Sequence, residues 1–355
     1  MNFLEIETMN NKKTEGRKDV YQIVTNKVIE QLEKGVVPWA LPFSKRGRPK
    51  SMTTKKGYRG INFFLLLWEP FDSRYWLTFN QAKKLGGSIR KGEKSSLVVY
   101  WHWRSEEQIE MLKAKTQNPA PCYPIYSIVF NLEQCEGIDA PNDDTKTFEH
   151  SPIEEAERII KEMPNAPAIE YKPEGQPCYL FESDTVVIPQ AKRFERAEGF
   201  YSVLFHELAH ATGHESRLNR LNAKNNGVYG SLEYSYEELV AEMTAAFLCA
   251  HCGIENRVEQ SAAYINGWLR VFQQDKKILL SAATAAQKAA DCILFGIRFG
   301  GEEERQRCPL CEEIERLDKC DHCNGEFCYR CLSFFQLSDG AEPNLCRTCR
   351  AKPIY

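Results

Sequence analysis

Phe205-His206-Glu207-Leu208-Ala209-His210-Ala211 is the stretch whose reading decides the fold. Two histidines four apart in an apolar run fall on one face of a helix. From there both imidazoles can grip one zinc ion, with the neighbouring glutamate poised over a water on that ion. Phe200, Val203, Leu204, Leu208 and Ala209 make the helix apolar around the two rings, as a buried site helix requires, and Gly213 closes it. A catalytic zinc needs a third protein ligand and one open position. The competing reading, that His206 and His210 are a solvated surface pair, predicts no such third ligand.

A metzincin would carry that ligand as a histidine at position 216, where Ser216 stands, and His214 falls beyond the expected helix end. Downstream, Glu238-Leu239-Val240-Ala241-Glu242 resembles the Glu-x-x-x-Asp helix of gluzincins and a related Glu-x-x-Ala-Asn helix of another zincin family. The resemblance implies Glu238 as third ligand, with Glu242 orienting a histidine by hydrogen bond. Glu237 projects about 100° away on the helix and is the weaker candidate. The chemistry expected is metal-assisted peptide hydrolysis with Glu207 as general base. Tyr229, Tyr234 and Tyr236 are all available to stabilise the developing oxyanion. A hairpin strand over 185–188 is expected to pair with an extended substrate. A bound zinc without turnover is the alternative for the same residues.

The chain has 355 residues, enough for two or three domains. No apolar run reaches membrane-spanning length, and the polar start lacks a secretory core, which predicts a cytoplasmic protein with no membrane partner. A net charge of −3 hides an asymmetry: residues 11–104 hold 20 Lys and Arg against 7 Asp and Glu. That basic part also holds five of the six tryptophans. Positive charge interleaved with aromatic faces suits single-stranded nucleic acid, whose bases stack and whose phosphates need cations. The candidates are Trp39, Lys45, Arg46, Lys55, Lys56, Tyr58, Arg59, Asn62, Trp76, Lys83, Lys84, Arg90, Lys91 and Lys94. Trp68, Trp101 and Trp103 sit in apolar runs and read as partly core.

Several stretches then become specific. Asp19-Val20-Tyr21-Gln22, Gly35-Val36-Val37-Pro38-Trp39, Tyr58-Arg59-Gly60-Ile61-Asn62, Trp76-Leu77-Thr78-Phe79-Asn80-Gln81-Ala82, residues 85–94 and Val129-Phe130-Asn131-Leu132-Glu133-Gln134 resemble the N-terminal domain of ArdC-type antirestriction proteins. Residues 206–220 and 237–248 resemble that family's second half. The resemblance covers about residues 18–300. It implies a single-stranded-DNA-binding domain joined to a zincin-like metallopeptidase domain, carried on mobile elements to protect incoming DNA from restriction. Ala40 departs from the pattern, in which a basic residue usually follows Pro38-Trp39.

The C-terminal cysteines lie outside that resemblance. Cys308, Cys311, Cys320, Cys323, Cys328, Cys331, Cys346 and Cys349 form four CxxC pairs, the spacing of two four-cysteine zinc sites in a reducing compartment. The short gap between the second and third pairs resembles cross-braced RING- and FYVE-like modules of treble-clef type; two sequential ribbons are the alternative. So few core residues surround these cysteines that metal must supply the fold. Docking of a protein partner or of DNA by this module stands beside a purely structural role.

The expected architecture is α+β. A disordered tail over 1–17 precedes a mixed α/β single-stranded-DNA-binding domain over 18–138. A linker over 139–151 leads to a mainly helical zincin-like domain with a small edge hairpin over 152–299. A second linker, 300–307, leads to the zinc module over 308–350. Three zincs follow, one catalytic in type and two structural. The protein substrate is unknown. The alternative function is a non-proteolytic protein that occludes DNA from restriction enzymes, with zinc structural.

Overall fold

Asp19 starts the first helix of the computed structural model by accepting a hydrogen bond from the Gln22 amide, satisfying one of the orphan donors of that turn. The model describes residues 19–40, 47–113, 116, 119–141, 152–221, 231–254, 256 and 262–296, and after them the short strands 306–307, 314–315, 317–319 and 326–328. The expected tail over 1–17, Lys45, Arg46, Tyr229 and the side chains of the eight paired cysteines lie outside the described residues.

Helix α1 (Val20–Glu33) buries Val20, Val24, Val28 and Leu32 at helical spacing. The chain then enters a four-stranded sheet in the order β1 (Lys50–Ser51), β2 (Tyr75–Leu77), β5 (Cys122–Asn131), β4 (Ser96–Trp103). Strands β4 and β5 form the expected long antiparallel pair, with Ser96 opposite Val129 and Trp103 opposite Cys122. The polar excursion between them contains a helix, α4 (Glu106–Lys113). Thr78 caps the short α3 (Phe79–Lys84) with a full capping box to Gln81. Strands β3 (Ser88–Ile89) and β6 (Cys135–Glu136) pair beneath it.

The apolar run Ile61–Leu67 is helix α2, buried along almost its whole surface. It lies between β4 on one side and a helix of the second half on the other. Gly60 opens it at φ 54 and ψ −137, a backbone region essentially reserved for glycine. Asn62 donates to the Val99 carbonyl and accepts from the Val99 amide, both at 2.6 Å, so its side chain extends the β4 ladder.

The second half begins with α5 (Pro152–Glu162). A three-stranded sheet follows in the order β7 (Ala168–Lys172), β9 (Thr185–Pro189), β8 (Cys178–Leu180). Helices α6 (Ala197–Ala211), α7 (Leu232–Cys252), α8 (Ala262–Gln274) and α9 (Ile278–Phe295) complete it. Against the expectation that no apolar run reaches membrane-spanning length, helix α9 is long and apolar enough to do so, yet most of it is buried in this fold, against α6 and α7 among others.

The two halves are continuous in their interior. One apolar cluster runs from Val24, Trp39, Phe63 and Phe64 through Phe205, Phe247, Trp268 and Phe272. Trp39 meets Trp268 edge-on at 4.9 Å, and Phe63 meets Phe247 at 5.2 Å. Such aromatic pairs add about 0.5–1.5 kcal/mol beyond burial. At the rim, Arg59 pairs with Asp291 of α9, and the Gly60 amide donates to Gln287.

Candidate metal centre

Helix α6 sets His206 and His210 one turn apart, and α7 packs alongside it. The two Nε2 atoms stand 3.1 Å apart. Glu238 of α7 places Oε2 3.5 Å from His206 Nε2 and Oε1 3.6 Å from His210 Nε2. One ligand atom from each of the three residues falls within 4.8 Å of the others. Two imidazole nitrogens on one tetrahedral zinc would stand about 3.3 Å apart, so the donor set fits such an ion.

The outer nitrogens are each backed by a carboxylate. His206 Nδ1 lies 3.5 Å from Glu242 Oε1, the orienting place the resemblance implied for Glu242. His210 Nδ1 lies 3.3 Å from Glu237 Oε1. Arg220 grips Glu237 with two hydrogen bonds, of 2.9 and 2.7 Å, and also donates to Thr212 Oγ1 and the Ala209 carbonyl. Sequence reasoning weighed Glu237 only as a ligand and gave it no backing role. The available signal was Arg220, nine residues past the end of α6 at Ala211.

These carboxylates make the pocket a place for positive charge. Burial favours a neutral His206 ring, but Glu242, Glu207 and Glu238 outweigh it and push its pKa up to about 10. Burial, reinforced by Glu238 and Glu207, pushes the Glu242 carboxyl up to about 7 against the pull of both histidines. Burial would raise Glu237 as well, yet the Arg220 guanidinium and His210 hold it down at about 2. Glu238 is likewise lowered despite burial, by His206 and His210 and by a hydrogen bond from the Tyr234 hydroxyl.

Glu207 is 7 % exposed and makes no hydrogen bond or ion pair among the described residues. Of the two tyrosines described, Tyr234 is bonded to Glu238, whereas Tyr236 is turned to Ser281 at 3.0 Å. His214 lies past the end of α6, bonded to Ser216.

The expected substrate strand needs correcting. Strand β9 is central, paired with β7 on one side and β8 on the other, so its main chain over 185–187 has no free edge. The edge that packs against α6 belongs to β8, and its Cys178 lies close enough to Glu207 to feel that charge. Arg217, 1 % exposed, pins the β8–β9 turn by pairing with Asp184 and donating to the carbonyls of Ala211 and Asn165.

The expected nucleic-acid residues divide sharply. Trp39 (0 %), Tyr58 (6 %) and Trp76 (2 %) are in the interior, where no base can reach their faces. Both polar ends of the Asn62 side chain are taken by Val99. Arg59 is committed to Asp291, and Arg90 bonds Glu93 at 2.7 Å. Lys55 lies over the Tyr75 ring. Lys56, Lys83, Lys84, Lys91 and Lys94 are exposed and without ion-pair partners among the described residues.

Two family models match the chain: the N-terminal domain of anti-restriction factor ArdC over residues 18–127, and a zincin-like metallopeptidase over residues 154–285. The crystal structure of the antirestriction ArdC protein from plasmid R388, bound to Mn(II), is 32 % identical. It superposes with a TM-score of 0.62, covering 78 % of this chain and 97 % of that one. A protein of Sinorhizobium fredii, y4eC, is 31 % identical over 288 residues, 77 % of this chain and 91 % of its own length. A DNA primase TraC of Escherichia coli is 32 % identical over 298 residues, 79 % of this chain. The matched segment spans 20 % of that primase.

Proposed function

The chain belongs to the ArdC antirestriction family, and on that premise we propose that it is a single-stranded-DNA-binding zinc metallopeptidase of a mobile element, acting in the cytoplasm to protect incoming DNA from restriction. The observation that carries the peptidase reading is the convergence of His206, His210 and Glu238 beside an unpaired Glu207.

His206, His210 and Glu238 would hold the ion, which supplies a Lewis acid that polarises the scissile carbonyl and lowers the pKa of a bound water toward about 7. Glu207 takes the proton of the attacking water and delivers it to the departing amine nitrogen. Glu242 and Glu237 fix the two rings from behind. The β8 edge aligns an extended peptide segment above α6 by strand addition. Tyr234, whose hydroxyl bonds Glu238, is the candidate to meet charge developing on the substrate oxygen.

DNA binding in the first half rests on the exposed lysines and on the family. The relation to part of a DNA primase supports a nucleic-acid setting. The shared core makes delivery direct: a strand held by the first half sits on the same folded body as the peptidase site. In the tail, four zinc-binding CxxC pairs would add two structural zincs. The hairpins formed by strands 306–307 with 314–315, and 317–319 with 326–328, bracket Cys308/Cys311 and Cys320/Cys323 in sequence.

Glu207→Gln tests the reading. The variant should keep metal and DNA binding, lose proteolysis by about 10²–10⁴-fold, and lose antirestriction in cells. Full protection by this variant would sink the peptidase mechanism and leave occlusion of DNA, with metal shaping the fold.

A further inference from the structure

With Trp39, Tyr58 and Trp76 buried, the first half needs another aromatic face if bases stack on it. Phe79 is 57 % exposed, the most exposed aromatic side chain among the described residues of 19–141. It is the first residue of α3, held by the Thr78 capping box, and α3 rests on the fold through Gln81 and Ala82. The ring therefore projects from a capped helix with more than half of its surface open to solvent. Lys83 is four residues on, which makes it the ring's neighbour on the helix surface. Residues 79–94 carry five basic side chains against the one acid, Glu93. That acid is already engaged by Arg90 and Gln134, while Lys83, Lys84, Lys91 and Lys94 have no acidic partner among the described residues.

We infer that Phe79 is a stacking platform for an unpaired base of single-stranded nucleic acid, with Lys83 and Lys84 neutralising the flanking phosphates. The inference rests on the DNA-binding reading above and gives it a location. An exposed aromatic alone fits any apolar partner. An exposed aromatic at a capped helix start, with an unpaired lysine one helical turn on and three more within the next eleven residues, fits a polyanion whose monomers have flat apolar faces. A duplex keeps those faces stacked inside, so a single strand is the matching occupant.

The test is fluorescence anisotropy of the full chain with a labelled oligothymidylate across a salt series. Phe79→Ala should weaken binding roughly tenfold, about 1.4 kcal/mol, without changing the salt slope. Phe79→Tyr should restore affinity and Phe79→Leu should not. Lys83→Ala with Lys84→Ala should flatten the slope by about 1.4, at about 0.7 for each phosphate no longer neutralised. The ring is exposed, so the melting temperature should hold. If the unmodified chain binds the oligonucleotide and Phe79→Ala binds equally well, the platform is elsewhere. If Phe79→Leu restores affinity, or duplex binding falls equally, stacking is excluded. No binding by the unmodified chain would overturn the DNA-binding reading itself, and the platform with it.

Discussion

Arg220 and Glu237 are joined by two parallel hydrogen bonds, and Glu237 stands 3.3 Å behind the Nδ1 of His210. The fork fixes the carboxylate, the carboxylate fixes the ring, and the ring's other nitrogen is aimed at His206 and Glu238. Supports of this kind are typically worth about 10- to 100-fold in metal affinity. Arg220→Met should therefore lower affinity at the His206/His210/Glu238 site by about that factor, read by competition with a chromogenic chelator. Unchanged affinity would mean the fork only ties the loop after α6 to α7.

Asp184 and Arg217 make the corresponding link for the β8–β9 turn. Burial tends to raise Asp184, but hydrogen bonds and charge from Arg217 and Tyr179 leave its pKa lowered. A depressed carboxylate stabilises the fold fully above its unfolded value, about 3.9, and that stability is lost as pH falls through the folded value. Asp184→Asn strands a guanidinium that is 1 % exposed. Because Asp184 itself is partly exposed, the cost should be about 2–3 kcal/mol, below the full range for breaking a buried pair. Thermal melts should show the variant well below the parent at pH 7 and the gap closing below about pH 3.9. A gap that stays constant into acid would assign the stability to shape rather than charge.

Much of the site could be read directly from the chain because helical spacing is local information. His206 and His210 needed only a four-residue period, and Glu238 and Glu242 another. The aromatic residues could not be assigned that way. Composition places Trp39, Tyr58 and Trp76 in a basic segment but does not say which faces meet the second half of the chain. Phe79 lies inside the family-like stretch Trp76 to Ala82, yet its exposure depends on which side of α3 meets the sheet. Strand β7 was missed because Ala168–Lys172 is largely exposed and shows no inside–outside alternation. The free edge at β8 follows from β7 joining the hairpin on its far side, a parallel pairing that no local pattern announces.

Metal content separates the centre from the tail. Three zincs per chain are expected by elemental analysis of purified protein, falling to two in the full-length His210→Asn variant. Four-thiolate sites should resist a mild chelator longer than the mixed histidine–carboxylate site, which keeps an open position. A single zinc in the parent, lost in His210→Asn, would remove the two-site reading of the cysteines.

Arg59 and Asp291 provide the last test, because the first was expected to touch DNA and is instead tied to α9. Asp291 is a buried acid whose pKa is raised by burial, with Arg59 pulling the other way. Removing Arg59 leaves that carboxyl without its ion-pair partner at the seam between the two halves, beside Gln287 and Gly60. Arg59 is partly open to water, so the loss is smaller than for a sealed pair, about 1–3 kcal/mol. Arg59→Ala should lower the melting temperature while oligonucleotide affinity in the folded protein changes by less than about twofold. Arg59→Ala with Asp291→Leu should recover part of the stability, since it removes the stranded carboxyl but leaves the buried Gln287 amide without the acceptor it has in Asp291. A stable Arg59→Ala variant with a flattened salt slope would instead return Arg59 to the nucleic-acid surface.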